Sequence, residues 1–153
     1  MHDPTNPPNG PRPGRRPLPP HLTLTVLLFI SATEALSLKV RFCYDTADPL
    51  AVRMDFLDPP EDVPPWVFSR DLLYAGLRTP SGDGDVRVWP PCRCHSTTTA
   101  RIFLHGRNSA AVLHVPAAEL GDWLEETFTA VPAGRESAHL HLDETLERLL
   151  GRG

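Results

Sequence analysis

From Leu36 the chain reads L-S-L-K-V-R-F-C-Y-D-T-A-D-P-L-A-V-R-M-D-F-L, ending at Leu57. Leu36, Leu38, Val40, Phe42 and Tyr44 take every second position, and Ser37, Lys39, Arg41 and Cys43 lie between them. Side chains alternate across a strand, so this period of two sends the apolar set to one face and the polar set to the other. After the turn Asp45–Pro49 the alternation resumes, with Leu50, Val52, Met54 and Phe56 expected inward. Asp is suited to bond its own backbone in such a turn, and Pro49 fixes the exit. Two alternating strands, Leu36–Tyr44 and Leu50–Leu57, joined by a short turn, specify an antiparallel hairpin with one buried face.

Upstream, Leu22, Leu24 and Val26 alternate with Thr23 and Thr25, which predicts a first strand over Leu22–Ile30. Arg15 and Arg16 before this run, and Ser31, Ala32 and Ala35 after it, also give it the layout of a secretory signal. Against that layout, Pro17, Pro19 and Pro20 separate the arginines from the run, which is too short to span a bilayer. The strand reading is therefore preferred. Residues 1–20 hold eight prolines and almost nothing to bury, so they are expected to be an unstructured extension, with the domain running from 21 to 151. Pro11-Arg12-Pro13 and Pro17-Leu18-Pro19-Pro20 within it are the alternative, a proline-rich docking segment.

Downstream, Asp58–Pro65 is a loop with four prolines, and Trp66–Phe68 resumes as a short strand. Ser69 is placed to cap a short helix, Arg70–Ala75, which Gly76 is expected to end. Thr79–Gly84 is a turn leading to a strand over Asp85–Trp89, stopped by Pro90 and Pro91. Thr97–Leu104 and Ala110–Val115 predict a second hairpin around His105–Asn108. Pro116 opens a helix to about Thr129, with Leu120, Trp123, Leu124 and Phe128 as its apolar stripe. A last helix is expected over Asp143–Leu150. The class is α+β: antiparallel sheets, a short helix between strands, and C-terminal helices, with no internal repeat of usable identity.

Composition narrows the function. The chain has 153 residues and a net charge of −4, with fourteen Arg and a single Lys. A phosphate-binding surface needs clustered positive charge, which here exists only as a local patch. Arg87, Trp89, Arg93 and Arg101 are the candidates for such a patch, and a single-stranded nucleic-acid module is the alternative reading they support. Cys43, Cys92 and Cys94 form an odd set without a disulfide framework, which points to reduced thiols and a cytoplasmic protein.

No motif of catalysis stands out. Cys92-Arg-Cys94-His95 is too tight for a structural zinc site and lacks a second ligand pair in sequence; His105, His114, His139 and His141 depend on the fold to reach it. Asp45, Asp48, Asp83 and Asp85 lie where turns call for Asp, and Gly82-Asp-Gly84 is a turn rather than a phosphate cradle. A non-enzymatic interaction module without cofactor or metal is expected. Trp66, Arg70 and Trp89 are the candidate partner contacts, being types enriched at interface hot spots. The plainer reading makes the tryptophans core residues and Arg70-Asp71 a local charge pair, with Asp71 favourable in a first helical turn. Glu119, Asp122, Glu125 and Glu126 on the second helix are either a solvated face or a dock for a basic segment.

Three blocks carry a family resemblance: F-C-Y-D-T-A-D-P-L-A-V from Phe42, W-V-F-S-R-D-L-L-Y-A-G-L from Trp66, and G-D-G-D-V-R-V-W-P from Gly82. In this order and spacing they resemble the SsgA-like proteins, actinobacterial regulators of sporulation-specific cell division, over about Leu22 to Leu150. The resemblance implies a fold similar to whirly-type single-stranded DNA-binding proteins and a homotrimer. It also implies recruitment to the division septum, with the tubulin-like FtsZ or another SsgA-like protein as partner. The proline-rich start, the Asp58–Pro65 loop and the Cys92–Thr99 region depart from the family pattern, and these departures bear on partner identity more than on fold.

Overall fold

The computed structural model describes residues 21–57, 64–94 and 96–136. The elements in chain order are β1 (His21–Phe29), β2 (Ala35–Cys43), β3 (Ala51–Phe56), β4 (Trp66–Ser69), α1 (Arg70–Gly76), β5 (Val86–Trp89), β6 (Thr99–His105), β7 (Ala110–Pro116) and α2 (Ala117–Ala130). Two meanders, β1–β4 and β5–β7, each lead directly into a helix. The α+β class with antiparallel pairing is as the sequence predicts. The strands join into a single sheet: β1 pairs with β7 through Leu27–His114, Leu28–Leu113 and Phe29–Val112, merging both meanders into seven strands. Its order is β4-β3-β2-β1-β7-β6-β5. The expected helix Asp143–Leu150, the first twenty residues, most of the Asp58–Pro65 loop and His95 lie outside the described residues.

Alternation decides which face is covered. Leu24, Val26, Val40, Phe42, Val52, Met54, Val88, Ile102, Leu104, Leu113 and Val115 project to the inner face and are buried. Leu120, Trp123 and Leu124 of α2 close over them, and Leu73 of α1 joins the same core. Each such aliphatic side chain contributes about 1.5–3 kcal/mol on burial. The first apolar run is thus a central strand of the sheet, flanked by β2 and β7.

Two local expectations change. Leu50 is 44% exposed, because the strand begins one residue later; what the fold uses is its backbone carbonyl, which accepts the Arg70 N–H at 2.8 Å. Gly76 does not end α1 by a left-handed turn: it lies inside the helix, and Leu77 caps it in right-handed geometry. A Cβ on Gly76 would collide with the Cβ and Cγ1 of Val88, so glycine is needed for close approach of α1 to β5. Gly82 is fixed by its backbone instead: its φ of 95° makes the turn into β5. Ser69 caps as expected, its Oγ accepting the Leu72 N–H at 3.2 Å.

Candidate functional site

Arg70 opens α1 and turns inward, completely buried. Its Nη1 donates to the Thr127 carbonyl at 3.0 Å and its Nη2 to Glu136 Oε2 at 2.8 Å. The guanidinium lies 3.9 Å from the Phe128 ring centroid and 5.1 Å from that of Tyr44. A charge this deep persists only when paired and hydrogen-bonded. Glu136 is held from its other side by the Gly134 N–H, which donates to Oε1 at 2.8 Å. Donation from Arg70 foremost, with backbone N–H bonds behind it, holds the Glu136 carboxyl below its ordinary range. Burial pushes the Tyr44 hydroxyl up, against the nearby Arg70 charge, and that hydroxyl donates to the Pro49 carbonyl at 2.9 Å. The expected Arg70-Asp71 pair is corrected: Asp71 stays exposed, while the arginine has a better acceptor in the interior. Arg70 therefore ties α1 to the end of α2 and offers no surface to a partner.

The two tryptophans part company. Trp66 pairs with Met54 across β3 and β4, projects inward beside Phe68 and packs half-buried against the core. Trp89 stands on the opposite face of the sheet, since its neighbour Val88 is the buried one. Register then builds two rows on that outer face. Trp89 sits opposite Arg101, Arg101 opposite His114, and His114 opposite Leu27. One step along, Arg87 faces Phe103, Phe103 faces Val112, and Val112 faces Phe29.

These rows are in contact. The Arg101 guanidinium lies 5.0 Å from the Trp89 ring and that of Arg87 5.7 Å from the Phe103 ring. Trp89 and Phe103 approach to 6.3 Å between centroids, Phe103 and His105 stack at 6.2 Å, and Phe29 meets His114 at 4.6 Å. A trough of about 340 Å³ runs past Phe29, Ile30, Trp89, Arg101, Phe103 and Val112. Of this cluster, the sequence points to Trp89 as a partner contact, to Arg87, Trp89 and Arg101 together as a cationic patch, which the fold does bring onto one face, and to His114 only as a remote metal ligand. No sequence motif singles out Phe29 or Phe103. The available signal was the alternation of Arg101, Phe103 and His105 with Ala100, Ile102 and Leu104 in β6.

The remaining candidates have structural surroundings. Cys92 and Ser96 form a backbone bridge that closes the small loop bearing Cys94, and Cys43, Cys92 and Cys94 form no disulfide with one another. Among the described residues, no three of His, Cys, Asp or Glu gather as metal ligands. Asp45 bonds the Ala47 N–H at 2.9 Å, and Asp85 lies 3.9 Å from His105 Nδ1. Arg93 lies exposed in the turn after β5, outside the strands. The acidic face of α2 is exposed, and Glu125 there accepts from Tyr74 Oη at 2.7 Å with Arg78 3.8 Å away. No helix among the described residues is long and apolar enough to cross a membrane.

Comparison with known proteins agrees with this architecture. The sporulation-specific cell division protein SsgB of Streptomyces coelicolor is 42% identical over 127 residues, 83% of this chain and 92% of that protein. SsgB of Salinispora tropica is 34% identical over 137 residues, 88% and 95% of the two chains. A solved structure from work correlating SsgB mutations with longitudinal cell division in sporulating S. coelicolor superposes with a TM-score of 0.71 at 38% identity, covering 82% of this chain and 99% of that one. The SsgA-like sporulation-specific cell division protein of Thermobifida fusca gives 0.75 at 28% identity, covering 86% and 96%. The model of the Streptomyces sporulation and cell division protein SsgA matches residues 38–136, a span from β2 through α2 to the Arg70–Glu136 pair. With relatives, fold and family model in agreement, this chain belongs to the SsgA family of sporulation and cell division proteins.

Proposed function

We propose that this chain is a non-enzymatic cytoplasmic regulator of sporulation septation, recruited to the septum and working by docking division machinery there. The observation that carries this reading is its kinship to SsgB over 83% of its length. FtsZ, or another SsgA-like protein, is the expected partner, and a homotrimer is the expected assembly. Three copies of one weak docking surface then act together, and avidity makes recruitment productive. A fluorescent fusion expressed in sporulating filaments tests it, with two-hybrid assays against division proteins. Septal ladders and a division-protein contact are expected; diffuse fluorescence with no such contact overturns the reading. The second reading, a single-stranded nucleic-acid module, draws on Arg87, Trp89 and Arg101 sharing one face. Its mark is oligothymidylate binding that weakens steeply with salt.

A further inference from the structure

On the outer rows two arginines are set against rings rather than against carboxylates. Arg53 meets Asp55, Arg70 meets Glu136 and Arg78 meets Glu125. Among the described residues, no carboxylate lies within ion-pairing distance of Arg87 or Arg101. Each is instead set beside a ring, Arg101 by Trp89 and Arg87 by Phe103, with Arg101 Nη2 also 4.0 Å from Cys92 Sγ. A ring takes the cation's charge without using up the forked N–H donors that suit a carboxylate, and it spends the side chain's freedom in advance. Beside the pair runs the apolar trough of Phe29, Ile30 and Val112. Two pre-positioned guanidinium groups next to an apolar groove, on a chain of net charge −4, form a locally basic site that complements an acidic strand with apolar anchors.

We propose that this face, Arg87 and Arg101 with the Phe29–Phe103–Val112 trough, is the docking surface, and that its occupant is an acidic peptide segment of a partner protein carrying large apolar side chains. The inference rests on the recruitment reading and adds the chemistry of the partner. Carboxylates meet the two arginines, and an apolar side chain enters the trough. Single-stranded nucleic acid fits less well. Base stacking needs open ring faces, whereas here Arg101, Arg87 and His114 already lie against Trp89, Phe103 and Phe29.

The test uses the full chain and a fluorescein-labelled peptide of alternating glutamate and leucine with one phenylalanine. Matched probes replace glutamate by glutamine or by lysine, and oligothymidylate serves as the nucleic-acid probe. The glutamate peptide is expected to bind, more weakly at high salt, and Arg87→Gln and Arg101→Gln each to weaken it roughly tenfold. Arg53→Gln, on the same face but far from the trough, is the control and leaves binding unchanged. A double Arg87→Glu/Arg101→Glu chain, checked for native circular dichroism, is expected to reverse preference and take the lysine peptide. Equal binding of the glutamine peptide overturns the proposal. So does binding of oligothymidylate alone, or a wild-type oligomer that falls apart in the arginine variants, which makes the occupant a second copy of this chain. Septal fusions separate the two levels: if wild type and Arg87→Gln/Arg101→Gln both mark septa, recruitment stands and this surface falls. If wild type never marks septa, recruitment itself falls, whatever the peptide does.

Discussion

Arg70 and Glu136, sixty-six residues apart in sequence, share one buried hydrogen bond of 2.8 Å that joins the first turn of α1 to the chain leaving α2. The same guanidinium reaches the Thr127 carbonyl and rests against Phe128, so one side chain fixes where α2 ends on the sheet. An arginine, a residue type enriched at interface hot spots, is thus an internal strut here. The consequence for function is indirect: the helices pack on the inner face, leaving the outer face of β5, β6, β7 and β1 uncovered by either helix.

Removing one member of this pair strands the other in the interior. Glu136→Ala is expected to cost about 3–5 kcal/mol, because the Arg70 charge is left buried without its carboxylate. Arg70→Met is expected to fall in the same range, and the double variant to cost less than the two together by roughly 1–3 kcal/mol. Urea unfolding of the four proteins measures this. Strict additivity sinks the strut assignment.

The pair also sets an acid limit. The Glu136 carboxyl is held below its ordinary value of 4.5, chiefly by the Arg70 hydrogen bond. A depressed native pKa means that the unfolded chain binds the proton first, so stability is complete above the ordinary value and drains as pH falls through the lowered one. Thermal melts of wild type from neutral pH downward are expected to lose midpoint through this window. Glu136→Gln is expected to start from a lower midpoint and to show a shallower acid slope there. Parallel curves for the two proteins contradict the assignment.

How much of this was legible depended on the range of the interaction. The β2–β3 hairpin followed from alternation, because residues two apart share a face whatever else the chain does. The Ser69 cap was equally legible, since its acceptor and donor are three residues apart. Trp66 and Trp89 looked alike, each at the end of a four-residue strand where too few positions exist to show a phase. Only the pairing of Trp66 with buried Met54, and of Trp89 with Arg101, separates inward from outward. Arg70 was illegible for a stronger reason: no local pattern says that an arginine at a helix start will find Glu136 rather than Asp71. The trough was half legible, since β6 shows its arginine and aromatics in sequence but Phe29 and His114 arrive through the β1–β7 pairing.

The turn block Tyr44–Pro49 makes its own prediction. Tyr44 is fully buried and its hydroxyl donates to the Pro49 carbonyl, closing the turn over the core. Tyr44→Phe keeps the ring and leaves that carbonyl without its donor, a loss of about 1–3 kcal/mol. The test is a chemical denaturation midpoint compared with wild type at neutral pH, and an unchanged midpoint dismisses the bond as a contributor. The far-ultraviolet circular dichroism spectrum is expected to stay native, since the strand itself is untouched.

Gly76 offers a case in which two effects of opposite sign compete. In an exposed helix interior, Gly→Ala stabilises by about 1 kcal/mol through propensity alone. At Gly76 the added methyl meets the Cβ and Cγ1 of Val88, both anchored in β5, with the Val88 carbonyl at 3.2 Å behind them. Neither partner is the far end of a flexible chain, so α1 must lift from the sheet, and overpacking of this kind costs about 1–3 kcal/mol. Collision is expected to win, and Gly76→Ala to lower the denaturation midpoint. Pairing it with Val88→Ala relieves the collision at the Cγ positions but not at Cβ, so the double variant is expected to recover part of the loss. The wild-type level stays out of reach, because Val88 is itself a core residue. A Gly76→Ala chain more stable than wild type shows that α1 can shift freely against β5, and removes close approach as the reason for glycine there.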